Sequence, residues 1–241
     1  MNFRMSMALL LAVVLLSGCV SGPKVEVNET RLSPTTSPKI KVGEVYEYEE
    51  RFNVSGNVTK FRINFTVVGE GEISGKGCLE VSGIATEQKV AVNSCFNNES
   101  GRIERISLSS EGKEKEIPKE LQWQFSMFFF DPWMLSLKGS SHYQINITKS
   151  YSSSFGFFDY VAVNKRVTDI TFVRREKFFE RDAFRVQRVD RELNIIRDEQ
   201  SEALLGNQTL LIDEEKRVLL YSRDENGIVE IELINASFKI R

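Results

Sequence analysis

Apolar and polar residues alternate with period two through residues 43–109, and the alternation breaks at turn signals. Tyr46, Tyr48, Phe52 and Val54 alternate with charged neighbours, and Ser55-Gly56-Asn57 then turns the chain. Beyond that turn Phe61, Ile63, Phe65 and Val67 alternate with Arg62, Asn64 and Thr66. Such a pattern predicts antiparallel strands with one face buried and one in water. A second hairpin signal lies in residues 70–77, followed by apolar runs at 78–83, 89–96 and 102–108, with residues 96–101 as a turn. The segment reads as a meander of five or six strands.

The later chain repeats the pattern. FTVVGEGEISGKGCLEV (65–81) aligns without gaps with ITFVRREKFFERDAFRV (170–186), placing Val67 on Phe172, Val68 on Val173, Leu79 on Phe184 and Val81 on Val186. FNNESGRIERI (96–106) matches IDEEKRVLLYS (212–222) as strand end, acidic turn and strand. A charge run at 113–116, before Pro118, separates the two units, and residues 227–238 form a closing strand. Residues 188–207 read either as a long excursion or as a short helix ending at Gly206. The predicted fold is mainly β, a β-rich α+β arrangement. It is a long curved antiparallel sheet or half-barrel made of two related meanders around a central apolar helical segment.

That central segment, LQWQFSMFFFDPWMLSL (121–137), holds both tryptophans. Pro118 followed by Lys119-Glu120 suits a helix start. The apolar surface would then run almost all round the helix and call for burial on several sides. A strand is the rival reading for 118–130, because Leu121, Trp123, Phe125 and Met127 also alternate with polar residues. Trp123, Phe125, Phe128, Phe129 and Trp133 are the candidate ligand-binding residues; the alternative is that they serve only as core between the two units.

The N-terminus carries Arg4, the apolar run 8–16 and then Leu16-Ser17-Gly18-Cys19. This has the marks of an export signal and is too short to span a bilayer of about 30 Å. The Leu-Ser-Gly-Cys ending resembles a lipobox, which implies lipid attachment at Cys19 and an extracytoplasmic protein held on the outer face of the membrane. Residues 1–18 are then the signal, 19–40 a Pro/Ser/Thr-rich tether and 41–241 one β-rich domain (units 43–116 and 138–241 flanking 117–137). Among 241 residues, 32 basic and 34 acidic side chains are interspersed, so no basic stripe offers nucleic acid a footprint. Cys78 and Cys95 remain as a pair. With Leu79 and Val81 inward, and Val90, Val92 and Phe96 sharing one face, both sulfurs fall on the opposite face. That suits a cross-strand disulfide; two free buried thiols are the alternative.

Asn-x-Ser/Thr sequons number eight, against about two expected from composition. Asn28, Asn53, Asn57, Asn64, Asn98, Asn146 and Asn207 are the candidate glycosylation sites, with Asn57, Asn98 and Asn207 at turns. Asn235 fits poorly because it shares parity with Val229, Ile231 and Leu233. Lipobox and sequons together point to an archaeal cell-surface lipoprotein. The strand pair of residues 172–186, the strand running into Ile212-Asp213-Glu214-Glu215 and the apolar insertion with Asp131-Pro132-Trp133 resemble half-open β-barrels of the LolA, LolB and LppX kind. That resemblance implies an apolar cavity for acyl chains or lipoproteins.

No Cys/His metal cluster, phosphate loop or dinucleotide fingerprint is legible, and His142 has no evident catalytic partners. No catalytic residue, metal or cofactor is expected. The leading expectation is a non-catalytic lipoprotein whose partners are the membrane, through its anchor, and a lipid, hydrophobic ligand or envelope protein. The alternatives are a structural or adhesive envelope component and a carboxylate-based hydrolase using acids such as Glu70 with Glu72 or Asp213 with Glu214 and Glu215.

Overall fold

Among the described residues, twelve strands hydrogen-bond into one antiparallel sheet that does not close into a barrel. The structure, a computed structural model, describes residues 34–85, 90–118, 132–139, 141–155, 158–196, 199–238 and 240. The first meander is β1 (Val45–Val54), β2 (Asn57–Ile73), β3 (Lys76–Ala85), β4 (Val90–Asn97), β5 (Ile103–Ser110) and β6 (Lys113–Glu116). The second is β7 (His142–Phe155), β8 (Phe158–Phe178), β9 (Arg181–Ile196), β10 (Glu199–Asp213), β11 (Leu219–Asp224) and β12 (Val229–Ala236). Across the sheet the order is β6-β5-β4-β3-β2-β1-β12-β11-β10-β9-β8-β7, so the last strand pairs with the first and joins the two meanders. A short helix, α1 (Pro132–Ser136), lies between them in sequence. The expected long antiparallel sheet of two meanders is the observed architecture; of the apolar segment 117–137, Pro132–Ser136 is helical, and the choice of helix or strand for 118–130 falls mostly outside the described residues.

The repeat extends to irregularities that the residue pattern does not announce. In β2–β3 the register slips between Val67 and Gly69, and in β8–β9 between Phe172 and Arg174, which are the aligned positions. Val67 faces Val81, and Phe172 faces Val186. The extra residues, Val68 and Val173, are both exposed. A bulge leaves one residue outside the ladder, which explains two exposed valines inside otherwise alternating strands. At the hairpin tips Ser74 and Phe179 both take left-handed backbone, at φ 53° and 51°.

The second aligned pair agrees as closely. The side chain of Asn97 accepts from the N–H of Glu99 and Ser100, and that of Asp213 from the N–H of Glu215 and Lys216. The backbone bonds Gly101 N–H to Asn97 O and Arg217 N–H to Asp213 O also correspond. Each turn therefore uses an Asx side chain to satisfy two backbone donors that the end of the strand leaves open. The ladder beyond each turn slips at matching places, between Cys95 and Phe96 and between Leu211 and Ile212.

Residues 188–207 are neither an excursion nor a helix. β9 runs on to Ile196, and β10 pairs back onto it from Glu199↔Ile196 to Leu204↔Arg191. Another slip, between Leu204 and Gly206, leaves Leu204 and Leu205 exposed and breaks the alternation that would have marked a strand. Cross-strand pairing here overrides the weak β-propensity of a Glu-, Ala- and Gly-containing segment. Asn207 consequently lies within β10 and not at a turn.

Cys78 and Cys95 form a disulfide between β3 and β4 with Cα atoms 5.6 Å apart. Both are buried, on the face opposite Leu79 and Val81, where Cys95 pairs with Glu80. Closing a loop of sequence separation 17 stabilises by about 3 kcal/mol on the chain-entropy model. The double variant Cys78→Ala/Cys95→Ala should lose about that much in urea unfolding, and wild type under reducing conditions should match it.

Candidate functional site on the inner face of the sheet

One face of the sheet collects the alternate apolar positions of both meanders. Tyr46 and Tyr48 of β1, Phe65 and Val67 of β2, Phe184 and Val186 of β9 and Ile231 and Leu233 of β12 belong to one buried core with Trp133, Met134, Leu135 and Leu137. Edge-on ring pairs, Tyr48 with Phe65 at 6.0 Å and Phe172 with Phe184 at 5.9 Å, recur in both halves. This inner face buries its apolar side chains against α1.

α1 is too short to stabilise itself, and its carbonyls are held by the surrounding elements. Arg217 donates from Nη1 to the carbonyls of Met134 and Leu137, at 3.2 and 3.1 Å. The N–H and hydroxyl of Thr35 both donate to Leu135 O at 3.0 Å, and the Tyr143 hydroxyl donates to Ser136 O. Arg217 stands where the first meander has Gly101; both residues are left-handed, at φ 61° and 69°. An arginine there accepts backbone strain that glycine avoids. In return its guanidinium stacks 4.6 Å from the Phe184 ring centroid and anchors the helix. The turn beneath it is fixed by Arg181, which donates from Nε and Nη2 to the fully buried Asp213 at 2.7 and 3.0 Å. Asp213, a candidate acid from the sequence, thus spends its carboxylate on Arg181 and the turn backbone.

Polar side chains also point inward. Asp190 of β9, paired with Thr168 in the ladder, meets Arg166 at 3.3 Å and Arg188 at 3.0 Å. Burial alone would raise the Asp190 pKa, but Arg188, Arg166 and the Thr168 hydroxyl outweigh it and hold the carboxyl below its ordinary value. Glu50 differs. It shares the parity of Tyr48 and Phe52, lies between Phe61 and Ile231 in the ladder, and is 8% exposed. Burial pushes its pKa up from 4.5 to about 7. Neither an ion pair nor a hydrogen bond reaches its carboxyl among the described residues. A buried carboxyl without a partner is costly and needs a reason. The parity of Glu50 was legible in the sequence, where it passed as one of the charged neighbours of the aromatics.

Of the expected ligand-binding residues, Trp133 is 1% exposed within the core. Trp123, Phe125, Phe128 and Phe129 lie outside the described residues, as do Cys19 and Asn28. Asn53, Asn57, Asn64 and Asn98 are exposed, and Asn146 and Asn207 half-buried. Asn235 is exposed as well: a slip in the β1–β12 ladder carries Tyr48↔Leu233 to Glu47↔Asn235 and moves it to the outer face, in one row with Asn64. His142 opens edge strand β7, exposed, with Nδ1 3.0 Å from the Thr171 hydroxyl.

Because the pKa of Glu50 is raised on folding, the native state holds a proton that the unfolded chain has released between pH 4.5 and about 7. The resulting stabilisation is complete below pH 4.5 and lost as pH rises through 7. Glu50→Gln should leave stability at pH 4.5 little changed and raise it at pH 8, by up to about 3 kcal/mol, in denaturant titrations at the two pH values. Arg217→Ala should cost about 1–3 kcal/mol by leaving buried carbonyls unpaired, and Arg217→Gly should cost about 1 kcal/mol less than Arg217→Ala because it relieves the left-handed backbone. Thermal melts of the two variants check the ordering.

No family model matches this chain, and no curated protein matches it. Among solved structures it is similar to the hypothetical lipoprotein YmcC from Escherichia coli, at 12% identity and a TM-score of 0.30, covering 96% of this chain and 97% of that one. A protein described as an outer membrane lipoprotein-sorting domain from Vibrio parahaemolyticus matches at 10% identity and a TM-score of 0.34, covering 84% and 87%. A DUF1329 family protein from Desulfovibrio piger matches at 9% and 0.35, covering 84% and 88%. A lipoprotein-sorting domain is thus among the similar structures, and none of them speaks to an archaeal origin. Likenesses this weak carry no weight for the site.

Proposed function

We propose that this protein is a non-catalytic, lipid-anchored surface lipoprotein that holds a hydrophobic or amphipathic ligand against the inner face of its sheet. The observation that carries the reading is the set of buried polar side chains facing inward, Glu50 above all. A face whose sole task was to pack would gain from apolar residues at Glu50, Thr168 and Asp190, since buried charge is often no better than a well-packed apolar replacement. The open order of the sheet, with β6 and β7 as edges, supports a surface that a ligand can enter. Lipobox, tether and exposed sequons support anchoring at Cys19 on the outer face of the membrane. A purely structural envelope role is the second reading, favoured by the complete enclosure of Trp133, Met134 and Leu135.

Titration of the full chain with apolar dyes or lipids, read by intrinsic tryptophan fluorescence, should give saturable binding. A flat response across lipid classes would leave the structural reading standing. Cys19→Ala should shift the protein from the membrane to the soluble fraction; retention in the detergent-extractable membrane fraction would contradict the anchor.

A further inference from the structure

We infer that the inner face selects amphiphiles with an ammonium head, and that Glu50 is the counter-ion for that head while an apolar tail lies along the neighbouring core. This deepens the ligand-binding reading and rests on it.

The argument begins with what Glu50 lacks. Asp190, also inward-facing, has Arg166 and Arg188 beside it, so its charge is met within the protein. Around Glu50 the ladder supplies Phe61 on one side and Ile231 on the other, with Tyr48 and Phe52 two residues away on its own strand. The Tyr48 hydroxyl is turned elsewhere, donating to Leu219 O at 3.0 Å. No described residue beside Glu50 neutralises a carboxylate, and a carboxylate kept from water attracts a cation far more strongly than one in water. The rings add to this. Phe52 and Phe61 meet edge-on with centroids 5.7 Å apart, one on each side of the β1–β2 ladder that carries Glu50. A carboxyl set among aromatic rings is the combination that recognises an ammonium group, by charge and by cation–π attraction together. An anionic head would be repelled, and a hydroxyl head would leave the carboxylate without its counter-charge.

Three ligands sharing an eight-carbon tail separate the terms: octyltrimethylammonium, octanol and octanoate. Each is titrated calorimetrically at pH 8 into the full chain in a maltoside detergent, with Glu50→Gln run in the same detergent so that micelle partitioning cancels. The wild type should bind the ammonium compound at least about tenfold more tightly than octanol, and this preference should fall to within about twofold in Glu50→Gln, with octanol unchanged. Equal affinity for the ammonium compound in wild type and variant overturns the inference, as does octanol or octanoate binding the wild type as tightly. Binding of none of the three overturns the ligand-binding reading itself. A measurement that needs no variant is the pH profile in wild type. Ammonium affinity should drop about tenfold between pH 8 and pH 5.5 while octanol affinity stays flat, and a flat ammonium profile also overturns the inference. On the inner face of β1 the titratable neighbours of Glu50 are Tyr48 and, two residues further, Tyr46, while Glu49 and Arg51 flank it on the outer face and pair with each other; Phe61 and Ile63 of β2 and Ile231 and Leu233 of β12 contribute none.

Discussion

Seven residue pairs, from Tyr46↔Ala236 to Phe52↔Val229, join the first strand of the chain to the last. The rest of the molecule depends on that seam. Each meander alone is an open sheet with one apolar face, and the core that holds α1 draws its residues from both. Pairing β1 with β12 makes a single inner face to which Tyr48, Ile231 and Leu233 contribute beside the helix. Since the paired residues lie almost a whole chain apart, the seam also carries a large loop-closure cost. Its outer surface is locked by charge. Arg51 of β1 meets Glu49 at 2.6 Å and reaches across to Glu232 at 3.2 Å and Glu230 at 3.4 Å. The hydrogen bond from Arg51 is the main cause that keeps Glu49 below its ordinary pKa. Such a network specifies register more than it adds stability, because a slip of one residue would turn these charges inward.

The two halves share turns, bulges and register but have diverged where they meet α1. Asn97 and Asp213 perform the same turn chemistry, and Asp213 is in addition clamped by Arg181 from the neighbouring hairpin. Gly101 became, in structural terms, Arg217, and a turn that merely reverses the chain became the anchor of the helix. Asymmetry of this kind separates the tasks of the halves. The second meander holds α1 through Arg217 and Tyr143, while the seam strand β1 brings Glu50 to the inner face.

Much of this was legible in the chain, because period-two alternation and turn residues report directly on strands. The aligned segments 65–81 and 170–186 located matching strands in both meanders, and cysteine parity predicted the disulfide. Bulges were not legible. A single extra residue reverses the facing of everything beyond it, so Asn235 looked inward and 188–207 looked irregular, although both belong to the ladder. The inward polar residues were hidden for a different reason. Charged residues are assigned to water by default, and only the rows on either side reveal that Glu50 and Asp190 stand among buried neighbours.

The seam can be tested directly by native-state hydrogen exchange on the full chain. If β1–β12 pairing is what makes two meanders one structure, the backbone amides of β1 and β12 should exchange only through global unfolding, with opening free energies equal to the stability from denaturant titration. Amides in β2–β3 and β8–β9 should converge on the same value. A sub-global opening that releases β1 and β12 first, with either meander still protected, would contradict the account.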